Sequence, residues 1–202
     1  MLKIGITGGI GTGKTFVCKI FKTLGVPIYD ADSAAKHLVE SDDRIKASII
    51  EHFGSDSYTA DGKYNRSYIK EIVFKNSSAK ALLESIIHPP VFKDSNNWFE
   101  KVDAKGFQYA IKEAGILYES NSYLDLDKII VVDAPLEIRM KRIMNRDHIS
   151  EDEALIKINI QWPQEEKVKR GDYIIQNDGL HTVIPQVYAL HHILLALSAV
   201  HL

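Results

Sequence analysis

Gly8-Gly9-Ile10-Gly11-Thr12-Gly13-Lys14-Thr15 is the stretch that decides the fold of this sequence. It matches G-x-x-x-x-G-K-[ST], the pattern of a loop whose backbone amides surround a phosphate chain. Its glycines allow backbone conformations that other residues avoid, so that successive N–H groups converge on one point. Leu2–Thr7 reads as an apolar strand before the loop, and Phe16–Leu24 as an amphipathic helix after it. The order of strand, loop and helix therefore predicts a site for a nucleoside triphosphate rather than a glycine-rich turn that binds nothing.

The loop residues have separate expected roles. The amides and the positive N-terminal end of the following helix would hold the phosphates. Lys14 would reach the β- and γ-phosphates, and the Thr15 hydroxyl would hold the Mg²⁺ that accompanies the nucleotide. The predicted nucleotide contacts in this segment are Gly9, Ile10, Gly11, Thr12, Gly13, Lys14, Thr15 and Phe16.

Composition limits the class of protein. With 202 residues, of which 45% are hydrophobic and 26% charged, the chain suits one globular domain with an insertion. A net charge of −2 gives no general affinity for polyanions, so no nucleic-acid partner is expected. We read no stretch as approaching the length of a membrane span and no signal peptide, which predicts a cytoplasmic protein without a membrane partner. The single cysteine excludes an internal disulfide, and Cys18 is interpreted as a core residue.

Strand-like runs alternate with helical segments along the chain. This alternation is typical of a parallel sheet with helices on both faces, and it predicts a three-layer α/β fold with five parallel strands. The runs are Leu2–Thr7, Val26–Tyr29, Phe107–Ile111, Lys128–Val132 and Tyr173–Gln176. A terminal helix over about Val183–Val200 is apolar enough to pack against the sheet.

The pattern changes between residues 56 and 103. Short helical stretches such as Arg66–Lys75 and Ser78–Ile87 are separated by turn residues, and His88-Pro89-Pro90 predicts the end of the second stretch. We interpret this region as a helical insertion, since a segment of this length between two strands is usually functional or a subdomain. Further on, Ser150-Glu151-Asp152-Glu153 is a capping box that starts a new helix.

Asp30-Ala31-Asp32 follows the second predicted strand. Ligands of open α/β sheets collect beyond the carboxyl ends of the strands, so these carboxylates are expected near the nucleotide. One of them could accept a proton from an attacking hydroxyl or position Mg²⁺ through water. The alternative is that either residue simply caps the next helix.

Arg139, Arg142 and Arg146 are three and four residues apart and share one helix face. Such arginines can neutralise a migrating phosphoryl group, which we favour for Arg146; the alternative is a solvated helix paired with nearby acids. Asn177-Asp178-Gly179 after the last strand could face an adenine ring or form an ordinary turn. His88 and Arg66 lie in the insertion, where a second substrate would sit, although a single histidine is more often structural.

Taken in order, these pieces resemble the dephospho-CoA kinase family over nearly the whole chain. The matching residues are Ile6–Thr15, Asp30-Ala31-Asp32, Asp61–Arg66, Ile87-His88-Pro89, Leu117-Tyr118-Glu119, Ala134–Glu137, Arg142, Arg146-Asp147, Gln161, Pro163 and Asn177-Asp178-Gly179. The P-loop is shared by many kinases, whereas the ordered set is much more specific.

The resemblance implies ATP-dependent phosphorylation of the ribose 3′-hydroxyl of dephospho-CoA, the last step of coenzyme A synthesis. It implies a nucleotide-binding core (1–55, 104–146 and 170–202), a CoA-binding insertion (56–103) and a lid (147–169). Asp32 would be the base, with Lys14 and Arg146 also in the transfer step and Arg142 and Asn177 at ATP. The implied acceptor contacts are Thr7, Asp30, Asp32, Arg66, His88 and Glu119.

Two departures from the family pattern are visible. This chain has Gly115-Ile116-Leu117 where the family commonly has Pro-Leu-Leu, which affects the wall of the acceptor site. It has Arg139 where the family often has Gln, and the role of Arg139 stays open.

Two alternatives remain. One is a kinase of the same fold that acts on a nucleoside monophosphate or a sugar. The other is a GTP-dependent switch, since Asp103-Ala104-Lys105-Gly106 looks like a D-x-x-G element and Ser78-Ala79-Lys80 like a guanine-loop triplet. It is disfavoured because the order of these two elements is wrong for a GTPase and no Asn-Lys-x-Asp motif is present.

Overall fold

A sheet of five parallel strands organises the fold in the computed structural model, which describes residues 1–200. In chain order the strands are β1 (Leu2–Thr7), β2 (Ile28–Asp30), β3 (Tyr109–Glu113), β4 (Lys128–Asp133) and β5 (Tyr173–Gln176). Their spatial order is β2-β3-β1-β4-β5, with β1 between β3 and β4. The predicted α/β fold with a parallel five-stranded sheet is confirmed.

Helices follow most of the strands. They are α1 (Lys14–Thr23), α2 (Ala31–Ser41), α3 (Asp43–Phe53), α4 (Arg66–Lys75), α5 (Ser77–Asp103), α6 (Leu136–Asp147), α7 (Glu151–Asn159), α8 (Gln164–Arg170) and α9 (Val183–Val200). A short 3₁₀ turn lies between α3 and α4. The capping box predicted at Ser150 is present, because its side chain and that of Glu153 bond each other's backbone N–H groups at the start of α7.

The chain divides into two compact units, the first made of Met1–Asp30 and the chain from Trp98 onward. One face of its sheet carries a large apolar cluster, with Ile4 and Ile6 of β1 and Ile130 of β4, and it packs against α1 and α9. Each large side chain buried there contributes about 1.5–3 kcal/mol to folding. A second cluster, centred on Phe99, packs on the opposite face of β3. The first unit therefore fixes the carboxyl ends of the strands, where ligands of such sheets bind.

The second unit is Ala31–Asn97. Its core is formed by apolar residues of α2, α3 and α4, including Val39, Ile49 and Ile69, with Ile87 of α5 packed against them. Since α2 and α3 bury their apolar faces in this core, the unit begins well before residue 56, where the insertion was predicted to start. The assignment of this region to the acceptor, and of residues 147–169 to a lid, stays a prediction.

Helix α5 continues without a break through His88, Pro89 and Pro90. The prediction that these residues end a helix was wrong. Two prolines remove two backbone donors from the helix interior. Apolar residues on both sides of them, such as Ile87 and Phe99, are nevertheless packed in their respective cores, and this packing keeps the flanking turns helical.

The length and hydropathy of α9 differ from the prediction. Its 18 residues have a mean hydropathy of 1.6, so by length and composition it is long and apolar enough to cross a membrane, contrary to the expectation that no stretch approaches a span. In this fold α9 packs Val187, Leu190 and Leu194 against α1 and the sheet, as predicted, while Ile184 and Tyr188 are exposed.

Candidate active site

The P-loop connects β1 to α1 in a conformation that only glycine adopts easily. Gly11 and Gly13 have φ angles of 83° and 91°, in the left-handed region, and Gly13 directly precedes the first turn of α1. The loop therefore joins the carboxyl end of a central strand to the positive end of a helix, the arrangement that binds phosphate groups.

Side chains from α6 and from the end of β5 bond the carbonyl groups of the P-loop. Arg139 Nε donates a hydrogen bond of 3.0 Å to the Ile10 carbonyl. Arg142 Nη1 lies 3.2 Å from the Gly11 carbonyl and 3.3 Å from that of Thr12. Asn177 Nδ2 donates to the Thr12 carbonyl at 2.7 Å, and Arg142 Nη2 in turn bonds the Asn177 carbonyl at 3.0 Å. The structure thus brings Arg142 and Asn177 to the loop.

Two glutamines, Gln161 between α7 and α8 and Gln164 at the start of α8, bond the first amides of the loop. Gln164 Oε1 accepts from the Gly9 amide at 2.8 Å, and Gln161 Oε1 accepts from the Ile10 amide at 2.7 Å. Gln164 Nε2 donates to the Val132 carbonyl, so this side chain also links the loop to β4. Sequence reasoning missed Gln164, since no local pattern distinguishes it.

Lys14 and Thr15 begin α1 beside a buried carboxylate. Lys14 Nζ donates to the Gly8 carbonyl at 2.9 Å, so its ammonium group lies over the loop. Thr15 Oγ1 donates to Glu113 Oε1 at 2.8 Å. Glu113 ends β3 and is 8% exposed. Sequence reasoning did not assign it a role, although its place at the end of a strand was a usable signal.

Cys18 lies one turn further along α1 and is 4% exposed. Burial raises the pKa of its thiol well above the ordinary range, and the nearby Glu113 carboxylate raises it further. The thiol is therefore protonated and packed in the core.

The predicted acceptor residues fall into both units. In the first unit Asp30 ends β2 and pairs in register with Glu113, while Thr7 ends β1 and is fully buried. The Thr7 hydroxyl has no hydrogen-bond partner within residues 1–200. In the second unit Asp32 lies in the first turn of α2 and Arg66 is the first residue of α4.

His88 lies in α5 and also belongs to the second unit. Burial lowers the pKa of its imidazole, an effect that Glu84 opposes. Its role at an acceptor stays a prediction, as do the roles of the other acceptor residues.

Arg146, the third arginine of α6, bonds its neighbour Asp147 rather than a carbonyl of the P-loop. Its Nε donates to Asp147 Oδ1 at 2.7 Å, and Lys157 Nζ of α7 bonds the other oxygen of Asp147 at 2.6 Å. These bonds hold the pKa of Asp147 well below its usual range. The Arg146 side chain is 61% exposed, so its role in transfer stays a prediction.

Glu119 forms an ion pair with a fully buried lysine. Lys167 of α8 is fully buried, and its Nζ lies 2.7 Å from Glu119 Oε1 and 2.9 Å from the Gly115 carbonyl. Glu119 Oε1 also accepts from the Trp162 amide at 2.9 Å. Glu119 therefore fastens α8 to the segment after β3, whatever contact it makes with an acceptor.

A separate metal site was sought among the described side chains. Across residues 1–200, no group of three or more His, Cys, Asp and Glu side chains is arranged to hold a metal ion. Thr15 stays the one residue that the sequence predicts for a cation.

Comparison with known proteins decides the family. The sequence profile of dephospho-CoA kinase matches residues 2–182, almost the whole chain. This chain belongs to the dephospho-CoA kinase family. The resemblance inferred from the ordered motifs is thereby confirmed, and the protein is a kinase. Membership of the family implies ATP as the phosphoryl donor.

Individual relatives agree with this assignment. The dephospho-CoA kinase of Bacillus cereus is 36% identical over 176 residues, which are 87% of this chain and 88% of the relative. That of Bacteroides fragilis is 35% identical over 192 residues, 94% of this chain and 91% of the relative.

Two solved structures have a similar fold. The dephospho-CoA kinase from Campylobacter jejuni aligns with a TM-score of 0.70 and 27% identity, covering 99% of this chain and 98% of its own. The protein TT1252 from Thermus thermophilus aligns with a TM-score of 0.78 and 27% identity, covering 96% of each chain.

Proposed function

We propose that this protein transfers the γ-phosphoryl group of ATP to the ribose 3′-hydroxyl of dephospho-CoA, giving coenzyme A and ADP. This is the last step of coenzyme A synthesis. The observation that carries the proposal is the match of residues 2–182 to the dephospho-CoA kinase family. A cytoplasmic location is part of the proposal, in line with a single cysteine that forms no disulfide.

The donor end of the reaction is proposed to use the P-loop and α1. The loop amides and the positive end of α1 would hold the phosphate chain before any transfer takes place. Lys14, now bonded to the Gly8 carbonyl, would exchange that bond for the β- and γ-phosphates. Arg142 and Asn177 lie beside the loop and are proposed to contact the adenosine part of ATP, with Phe16 at the start of α1.

The residues at the start of α1 also fit a magnesium ion that arrives with ATP. Thr15 Oγ1 donates its hydrogen to Glu113, which leaves the lone pairs of the hydroxyl oxygen available to a hard cation. We therefore propose Thr15 as the protein ligand and Glu113 as the group that orients it. Bound there, Mg²⁺ would neutralise charge on the phosphate oxygens during transfer.

The acceptor end is proposed to use Asp32 as the general base. Its carboxylate would take the proton of the 3′-hydroxyl as the bond from O3′ to the γ-phosphorus forms. At the same time the bond from that phosphorus to the β,γ-bridging oxygen breaks, and ADP leaves with the electron pair. The other residues proposed to bind the acceptor are Thr7, Asp30, Arg66, His88 and Glu119.

Residues 147–169 are proposed to act as a lid that excludes water, which otherwise competes as an acceptor. Arg146 would leave Asp147 and stabilise the charge on the migrating phosphoryl group. The exposed position of its guanidinium allows this movement without breaking the core.

The test is product formation by the purified protein with ATP, Mg²⁺ and dephospho-CoA. We expect coenzyme A and ADP in equal amounts, and no ADP with coenzyme A as acceptor, because its 3′-hydroxyl is already phosphorylated. Asp32→Asn should lower kcat by about 10²–10⁴-fold while ADP binding is kept. The exposed Asp43 supplies a matched control. Asp43→Asn removes an acidic side chain from the same unit, and no role in the reaction is proposed for that side chain.

Two results would contradict the proposal. Full turnover in Asp32→Asn would remove that residue as the base. ADP release with AMP or a sugar, but not with dephospho-CoA, would assign the protein to another small-molecule kinase class.

A further inference from the structure

Arg139 is buried where α6 passes the P-loop. Its side chain is 4% exposed, which is rare for arginine unless the charge is engaged. Nε donates to the Ile10 carbonyl at 3.0 Å. Burial lowers the pKa of the guanidinium, and the acidic side chains of Glu165 and Asp133 oppose that effect. A charged group held in the interior against a loop carbonyl calls for a reason other than packing.

The loop is shaped around this side chain. A Cβ atom on Gly9 would stand 2.8 Å from Arg139 Cζ and still closer to Nη2. A Cβ atom on Gly11 would stand 2.7 Å from the Arg139 carbonyl oxygen. The φ angle of Gly9, unlike that of Gly11, lies outside the left-handed region, so glycine is favoured there by side-chain contacts. The closest of these contacts are with Arg139, and Gln164 Oε1 would stand 3.1 Å from the added Cβ. Gly9 and Arg139 therefore form a matched pair.

The bond to the Ile10 carbonyl controls the direction of an amide. In a trans peptide the carbonyl of one residue and the N–H of the next lie in one plane and point in opposite directions. Holding the Ile10 carbonyl toward α6 therefore turns the Gly11 N–H away from α6. Arg142 acts in the same way on the Gly11 carbonyl, and Asn177 on that of Thr12.

We propose that Arg139 is a positioning residue for the donor nucleotide, which keeps the Gly11 amide turned toward the phosphate chain before ATP binds. Arg139 does not touch the nucleotide and acts through the backbone of the P-loop. Preorganised donors bind an anion more tightly because less ordering remains to be done on binding. The proposal rests on the proposed function only in taking the donor to be a nucleotide on the P-loop.

The test is the affinity for ADP, measured calorimetrically without any acceptor. Arg139→Gln removes the charge and shortens the donor, and should raise the Kd for ADP about tenfold or more, the factor for a charge-assisted hydrogen bond. Arg139→Lys keeps the charge and should recover part of the affinity. Lys141→Gln is the matched control, because it removes one charge from an exposed position of α6 and should change the Kd less than about twofold.

Steady-state kinetics separate positioning from general damage. Arg139→Gln should raise the KM for ATP by the same factor as the Kd for ADP, while the KM for the acceptor stays as in the wild type. A second arm uses the matched pair: Gly9→Ala should weaken ADP binding more in the wild-type background than in Arg139→Gln, where the crowding guanidinium is absent.

The outcomes are distinct. Equal ADP affinity in Arg139→Gln and Lys141→Gln, or equal rises in both KM values, would overturn the proposal. If Arg139→Gln does not fold, the ADP affinities of Arg139→Lys, alone and combined with Gly9→Ala, test the proposal instead. Failure to phosphorylate dephospho-CoA leaves the ADP measurement intact, so the proposed function and this inference fail separately.

Discussion

The buried pair of Lys167 and Glu119 gives a prediction whose size follows from the structure. Lys167→Met replaces a fully buried ammonium group by an apolar side chain of similar length. The Gly115 carbonyl and Glu119 Oε1 each lose a donor, and Glu119 Oε2 already has no partner within residues 1–200. The Glu119 carboxylate, whose side chain is 16% exposed, then keeps the hydrogen bond from the Trp162 amide but loses its counter-ion.

Removing one member of a buried ion pair costs about 3–5 kcal/mol, because the remaining charge is uncompensated. For a chain of this size each kcal/mol lowers the melting temperature by about 2–4 °C, so Lys167→Met should melt roughly 6–20 °C lower. The control is Lys169→Met on the same helix. Lys169 pairs with Glu166 on the surface, where both side chains are exposed, and its loss should cost less than about 1 kcal/mol.

The assay is thermal unfolding followed by circular dichroism, with urea unfolding as a second measurement. The double variant Lys167→Met with Glu119→Gln should be more stable than Lys167→Met alone, since the unpaired charge is gone. The reasoning is refuted if Lys167→Met melts within the range of Lys169→Met, or if adding Glu119→Gln lowers stability further.

Three further predictions concern stability. Gly5→Ala should destabilise the fold by about 1–3 kcal/mol in urea unfolding, because a Cβ there meets three side-chain carbons at 2.8 Å; an unchanged midpoint would mean that the neighbours shift freely. Ser150→Ala should cost about 1 kcal/mol through loss of the capping box, and equal stability of the two proteins would show that the cap adds nothing. Burial lowers the pKa of Lys112 to about 8. Above that pH the folded chain loses a proton that the unfolded chain keeps, so the free energy of unfolding should rise between about pH 8 and 10. That rise should be smaller in Lys112→Met, and parallel pH profiles of the two proteins would contradict the assignment.

Local patterns were enough to predict the layout of the fold. The P-loop, the alternating apolar strands and the capping box at Ser150 each depend on residues a few positions apart, and the structure contains all of them. The continuous helix through Pro89 and Pro90 could not be predicted in this way, because packing on either side outweighs the local preference against proline.

The site was only partly predictable, for a related reason. The sequence identified the loop itself, since its glycines and Lys14 are contiguous. The groups that hold the loop come from far along the chain: Gln164 is 155 residues from Gly9, and Glu113 is 98 residues from Thr15. No local pattern links residues at such separations, and only the parallel order of the strands brings them to one edge of the sheet.

Cys18 gives this protein a built-in probe of its own nucleotide site. It is the only cysteine of the sequence, and a thiol reagent can reach it only after α1 separates from the core. The rate of labelling in native buffer therefore measures how often the helix that carries Lys14 and Thr15 opens. Because ligands that bind the closed form suppress opening in proportion to their occupancy, the same rate reports nucleotide affinity without any assay of turnover.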